Sequence, residues 1–255
     1  MRQSILAKIL DFLFPRFCPV CGGRLMGEEE KVCISCLFSL PSTTTWKSPY
    51  ENEMTKMFWV QIPIEKCCAL FYYSSHAPSS NILYQLKYHD QPELGVYMGE
   101  LLAQEGERCH FFDDIDAIIP IPLAPKRLRQ RGYNQSLEIA KGISKQTHIP
   151  IIEDAAIRTI FQSSQTDKAR QGRFENVKHV FDLAPKYKPS PSPSIGIQPS
   201  PLAGKHLLVI DDVCTTGATI IACCQAIMRG CNIHAECKNE AHLKFSVLTI
   251  GWAKG

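Results

Sequence analysis

Residues 207–219 read LLVIDDVCTTGAT. Four aliphatic residues run into two adjacent carboxylates, Asp211 and Asp212, and a turn of small hydroxyl residues around Gly217 follows at once. Adjacent carboxylates accept hydrogen bonds from neighbouring hydroxyls, such as those of a ribose, or from the waters of a magnesium ion. Thr215, Thr216, Gly217, Ala218 and Thr219 lead into TIIACCQAIMRG, in which Ile220, Cys223 or Cys224, and Ile227 share one helical side before Gly230 stops the run. The five residues therefore wrap a helix start, where free backbone amides, the positive end of the helix dipole and three hydroxyls converge as a phosphate cradle. Gly217 lets the backbone close on an anion without a Cβ in the way. A phosphate would repel the acids, so they serve another part of the ligand, and a phosphate one sugar away from a diol describes a ribose 5-phosphate. The plainer reading makes the aspartates helix caps; one acid suffices for that, and two followed by TTGAT are poorly explained by it.

Such a site needs a scaffold. Leu207–Ile210 are expected as a fully buried strand, which puts the acids and threonines at the carboxyl end of a parallel strand, the edge where open α/β sheets bind ligands. Upstream, IEKCCALFYYSS (64–75) has the aliphatic and aromatic run of a strand, and SSNILYQLKYH predicts a helix with Ile82, Leu83 and Leu86 on one side. LGVYMGELLAQEG predicts a second helix, and IDAIIPIP (115–122) a short buried strand closed by prolines. After a basic turn, YNQSLEIAKGISKQ repeats helically through Ile139 and Ile143, with Asn134 or Ser136 as its cap. Alternating strands and helices are the pattern of a doubly wound α/β domain. Residues 185–201 hold six prolines and four serines, a composition expected to form an extended, solvated surface insertion between strands.

Twelve cysteines are present, four of them as CPVC (Cys18, Cys21) and CISC (Cys33, Cys36) with eleven residues between the pairs. Tetrahedral zinc takes four thiolates, each CxxC offers two from one knuckle, and four protein ligands leave no open position, so the expected metal is structural. Disulfides are the competing reading, weakened by the lack of a secretion signal: Lys8 and Asp11 interrupt the apolar N-terminus and no small-residue cleavage site follows. Ile5, Leu6, Ile9 and Leu13 fall instead on one face of a short amphipathic helix. Cys67, Cys68, Cys109, Cys214, Cys223 and Cys224 are expected as small core residues, and CNIHAEC (Cys231, His234, Cys237) has ligand spacing without a fourth ligand. No stretch reaches the ~18 apolar residues of a membrane span, and a cytoplasmic protein is expected. The net charge of +3 excludes bulk charge as an argument for nucleic acid or membrane binding, so any anion site is local. The breakers Pro41 and Pro49 suggest an N-terminal helix and four-cysteine zinc-ribbon module over 1–62 and an α/β domain over 63–255, with a Pro/Ser-rich insertion at 185–203.

LLVIDDVCTTGAT resembles, along its whole length, the thirteen-residue phosphoribosyl-diphosphate motif of type I phosphoribosyltransferases. With IPIPLAPKRLRQRGYNQSLEIA, LKYHD and RTIFQSSQTDKARQGRFENVKHVF behind a CxxC…CxxC module, the chain resembles the ComF family, associated with bacterial competence for DNA uptake. The resemblance implies a type I phosphoribosyltransferase-like parallel sheet flanked by helices behind a small zinc ribbon. It implies that the segment after the second core strand holds diphosphate, here Lys126, Arg127, Arg129 and Arg131, whose guanidinium groups suit a polyanion, with Gly132 as the bend into the next helix. The mobile loop of the family would map to 158–176, where Gln165, Lys168, Arg170, Arg173 and Asn176 are polar; its closure would keep water from a reactive sugar cation. In that scheme magnesium and the basic cluster stabilise departing diphosphate, Asp211 and Asp212 hold the ribose, and 215–219 anchor its 5-phosphate. No acceptor is specified, and Lys87, Tyr88 and His89 have no assigned role. A second class of function is a non-catalytic, zinc-containing partner of competence helicase or recombination proteins that handles single-stranded DNA, with Phe17, Trp46, Phe58 and Trp59 as candidate stacking residues. A purely structural adaptor would leave the acids unexplained.

Overall fold

The computed structural model describes residues 13–158, 180–192, 196–232 and 243–254. The expected N-terminal helix, apart from Leu13, lies outside them, as do all of the loop 158–176 except Arg158, and His234 and Cys237. The short helices α1 (Ile34–Phe38) and α2 (Glu53–Lys56) precede β1 (Ile64–Tyr72), α3 (Ser80–Tyr88), α4 (Pro92–Glu107) and β2 (Ala117–Pro120). Next come α5 (Pro125–Arg131), α6 (Gln135–Thr147), β3 (Ala156–Arg158) and β4 (Phe181–Leu183). β5 (Ser190–Ser192), β6 (Gly196–Gln198), β7 (His206–Cys214), α7 (Ala218–Gly230) and β8 (Lys244–Trp252) complete the order.

Four strands form one parallel sheet in the order β1-β8-β7-β2. The fold is thus α/β with a parallel sheet covered by helices, as expected. Burial on both faces explains why β7 and β8 read as near-continuous apolar runs. Leu207 and Val209 pack with Ile220, Cys223, Cys224 and Ile227 of α7, whereas Leu208 and Ile210 pack with Ile82, Leu86, Met98 and Ile139 of α3, α4 and α6. Helices α4 and α6 come together at glycines: a Cβ on Gly99 would sit on the Ile139 carbonyl, and one on Gly142 on the Val96 carbonyl. That contact fixes α6, and with it the cap at Asn134, against the sheet.

Three features differ from the sequence expectations. β7 continues through the aspartates to Cys214, whereas its neighbour β2 pairs only as far as Ile210. Beyond that point β7 pairs with β8 alone, through Asp211–Thr249 and Val213–Gly251, and the acids lie past the end of β2. The basic turn is a helix, α5, with Pro125 at its first turn and Gly132 at φ 79° as its left-handed cap; proline pre-sets the helical φ and glycine tolerates the positive one. The Pro/Ser-rich stretch is not simply solvated chain, because Ser190–Ser192 and Gly196–Gln198 pair antiparallel and Leu202 at its end is buried.

The segment before β1 packs on the sheet. Thr43 donates through Oγ1 to the Ala69 carbonyl, Asn52 donates through Nδ2 to the Cys67 carbonyl at 2.9 Å, and Met54, Phe58 and Ile62 are buried against β1, β7 and α7. Of the cysteines expected in the core, Cys67, Cys68, Cys214, Cys223 and Cys224 are buried; Cys109 is half-buried. Burial pushes the Cys214 and Cys223 thiols up to about 12, so they stay protonated packing groups. Among the described residues no helix is long and apolar enough to cross a membrane.

Candidate functional site

The carboxyl edge of β7 gathers several of the residues singled out by sequence. The Asp211 carboxylate accepts from the Asp212 backbone N–H at 2.9 Å and from the Ser136 hydroxyl of α6 at 3.3 Å. Asp212 pairs with Lys87 Nζ at 2.8 Å. Burial, reinforced by the neighbouring Asp212 carboxylate, pushes Asp211 up to about 7, because poor hydration and a like charge both disfavour its ionised form. This is the signature of a site built to meet donors or a cation.

Directly beyond, Thr215, Thr216, Ala218 and Thr219 are exposed while Gly217 is buried. Gly217 caps α7 with φ 72°, and a Cβ there would lie 2.9 Å from Phe58. Conformation and crowding both require glycine. The first amides of α7, a 13-residue helix, are thus presented beside three hydroxyl-bearing side chains, as an anion cradle needs.

The basic cluster divides. Arg127 and Arg131, with Gln130, line a cleft of about 650 Å³ together with Lys87, Tyr88 and Asp90. Arg131 donates to Gln135 Oε1 at 2.8 Å and lies 5.6 Å from the Tyr88 ring centre. Lys126 and Arg129 are exposed and do not line this cleft. Because Lys87 belongs to the cleft and also pairs with Asp212, the cleft and the acid pair adjoin. Arg158, the last described residue before the loop, lies 5.1 Å from the Phe181 ring, and burial and the nearby positive charge of Arg127 lower its pKa while Asp211 opposes that shift. Sequence reasoning left Lys87 without a role and did not single out Arg158; their links to the acids exist only in the folded chain.

At the N-terminal end, the sulfurs of Cys18, Cys21, Cys33 and Cys36 all lie within 4.8 Å of one another, with Cys21 and Cys33 at 3.8 Å. Tetrahedral zinc with Zn–S bonds of about 2.3 Å requires sulfurs roughly 3.8 Å apart. Backbone amides of Gly23, Cys33 and Cys36 point at Cys21, Cys18 and Cys33 sulfurs, respectively, at 3.4–3.5 Å. Although burial raises the Cys18 thiol, the amides of Cys33, Cys21 and Val20 outweigh it and bring the group down to about 7. These residues fit a metal ion such as zinc. Cys231 is buried and its thiol donates to the Ser200 hydroxyl at 3.1 Å; the other two residues of CNIHAEC with ligand spacing lie outside the described residues.

Of the aromatics considered for base stacking, Phe58 is fully buried and serves as packing for Gly217, which removes it from that role. Trp46 packs edge-on against Phe111 at 5.8 Å, whereas Phe17 and Trp59 are exposed.

An α/β protein with an acid pair and a glycine-capped helix start at one sheet edge, behind a four-cysteine cluster, is the class these observations define. No family model matches the chain. The chain is similar to the DNA utilization protein YhgH of Shigella flexneri and that of Escherichia coli (strain K12), each 28% identical over 215 residues, 83% of this chain and 84% of the relative. It is also 27% identical over 210 residues to Competence protein F of Haemophilus influenzae, covering 81% of this chain and 76% of that protein. With the motifs in the sequence, these likenesses support assignment of the chain to the ComF family.

Proposed function

We propose that the chain binds phosphoribosyl diphosphate with magnesium at the carboxyl edge of β7 and acts in DNA uptake, as a phosphoribosyltransferase or a phosphoribosyl-diphosphate-dependent component. The observation that carries this reading is the continuity of Asp211–Asp212 into the Gly217-capped start of α7, which sets hydroxyl-accepting carboxylates one turn from a phosphate cradle. Thr215, Thr216, Thr219 and the free amides of α7 take the 5-phosphate. Asp211 and Asp212 accept from the ribose hydroxyls, and Arg127 and Arg131 face the diphosphate. Magnesium, a hard cation that prefers carboxylate and phosphate oxygens, suits the adjacent carboxylates of Asp211 and Asp212; when bound it would offset charge on the leaving diphosphate. Titration calorimetry of phosphoribosyl diphosphate with magnesium tests the reading. Wild type binds, and Asp211→Asn/Asp212→Asn weakens binding by about 100-fold or more; absence of heat with wild type, or unchanged affinity in the double variant, overturns it.

A second reading, single-stranded DNA handling, is favoured by the names of the relatives and by a specific surface. Tyr84 and Tyr88 are both exposed on α3 with ring centres 5.0 Å apart, Arg127 and the Tyr88-stacked Arg131 of α5 border the same cleft as Tyr88, and Lys126 and Arg129 are exposed elsewhere on that helix. Exposed aromatic rings next to cations are what unstacked bases bind. Tyr84→Ala/Tyr88→Ala is expected to weaken binding of a labelled oligonucleotide about tenfold or more at constant salt slope, and Lys126→Ala/Arg129→Ala to flatten the slope. Fluorescence anisotropy at several salt concentrations measures both, and equal affinities across the variants would refute this surface.

A further inference from the structure

We propose that Lys87 is an exchangeable counter-cation: it holds Asp212 until a phosphate-bearing ligand draws its ammonium away, so that anion binding in the cleft frees the acid for the ligand's hydroxyls or metal. The inference rests on the phosphoribosyl diphosphate reading and assigns to Lys87 a positioning role that the reading lacked. Three observations carry it. Lys87 Nζ lies 2.8 Å from Asp212 Oδ2, with the two side chains only 23% and 12% exposed. The same lysine lines the cleft with Arg127 and Arg131, so one ammonium borders both halves of the site. Its backbone is held, because Ile82, Leu83 and Leu86 bury α3 and the Tyr133 hydroxyl donates to the Leu86 carbonyl, so a change of partner asks only the side chain to move.

Lysine suits this exchange better than its neighbours do. Arg131 is tied to Gln135 and stacked on Tyr88, whereas Lys87 is a point charge on a flexible stem that can change partner without a fixed hydrogen-bond fork. The groups facing the pair are Asp211 beside Asp212, Ser136 on α6, and the Arg127 and Arg131 of α5 across the cleft. Without Lys87 the Asp212 carboxylate would lack its counter-charge beside Asp211, and a divalent cation would find it with no competitor. With Lys87 in place, cation binding must displace it, and a diphosphate that attracts Lys87 removes that obstacle. The two ligand halves are thereby coupled, and the coupling is reciprocal.

The opposite signs predicted for one substitution separate this role from a merely structural ion pair. In the full, zinc-loaded chain, Mn²⁺ alone, followed by its electron paramagnetic resonance signal, is expected to bind Lys87→Met about fivefold or more tighter than wild type, and Lys87→Arg like wild type. The tighter binding is expected to vanish when Asp212→Asn is added. Calorimetry with phosphoribosyl diphosphate and magnesium is expected to show Lys87→Met about tenfold or more weaker, with Lys87→Arg in between. Equal or weaker Mn²⁺ binding in Lys87→Met, or unchanged affinity for the diphosphate sugar, overturns the exchange. If wild type fails to bind the sugar at all, the substrate reading falls, and the Mn²⁺ comparison alone decides whether Lys87 guards Asp212.

Discussion

At pH 8, Asp211→Asn is expected to raise the melting temperature by about 3–8 °C while removing most of the affinity for a phosphoribosyl ligand. The stability gain follows from the acid itself. Asp211 is pushed up to about 7 by burial and by Asp212, whereas a carboxyl in the unfolded chain titrates near 3.9. A folded-state value above the unfolded one means that the ionised form opposes folding: there is no penalty below about pH 4, it grows as pH rises, and it is complete above about pH 7. Three pH units would set a ceiling of about 4 kcal/mol. Asp211 keeps part of its surface in solvent, which lowers the expected gain to about 1–3 kcal/mol, or a few degrees per kcal/mol in a chain of this size. Asparagine keeps the acceptor for Ser136 and for the Asp212 amide, which both use Oδ1. The gain therefore falls at pH 5 to roughly a third of its value at pH 8, and it vanishes only below about pH 4. Thermal unfolding at pH 5 and pH 8 measures the difference, and an equal shift at both pH values, or a loss at pH 8, contradicts it. A stabilised but non-binding variant is the behaviour of a residue retained for its site rather than for the fold.

The acids could be read from the sequence as a pair, yet not how the sheet places them. Apolar residues stop at Ile210, which suggests that the strand stops there as well. It is the neighbour β2 that stops, at Pro120, and β7 runs on to Cys214 with β8 as its single partner. A strand's end is legible only when its own pairing ends, and strand pairing is a property of two segments. The helix α5 had its signals in plain view, Pro125 at the start and Gly132 after the end, but its charged faces lack apolar periodicity, the stronger cue. Gly217 was legible as glycine for close approach, whereas the group that crowds it, Phe58, comes from the segment before β1. Lys87 shows the limit most clearly: nothing in LKYHD marks its partner, and only the packing of α3 against the sheet brings it to Asp212. Spacing within one element is readable in sequence, and contacts between elements await the fold.

The four-cysteine cluster yields the other large effect, because the segment around it has little else to hold it. Between residues 16 and 40 the buried apolar side chains are Cys18, Leu25 and Val32, too few to offset the backbone entropy of ordering the segment. Structural zinc in such small modules contributes folding free energy directly, of order 10 kcal/mol or more at neutral pH. One zinc per chain is therefore expected by elemental analysis, and Cys21→Ser or Cys36→Ser is expected to lose it on dialysis against a chelator that wild type survives. Loss should be local. Residues 43–62 reach the sheet through Thr43, Asn52, Met54 and Phe58, contacts that do not involve the cysteines. Limited proteolysis of the variants should thus cut rapidly between residues 16 and 40, at least tenfold faster than in wild type, while the sheet retains its own cooperative unfolding transition. Wild type that binds no metal, or variants with an unchanged cleavage rate, would show that packing alone holds the segment. Variants that lose the sheet's transition as well would show instead that the metal supports the acid pair from a distance, through Phe58 and the Gly217 cap.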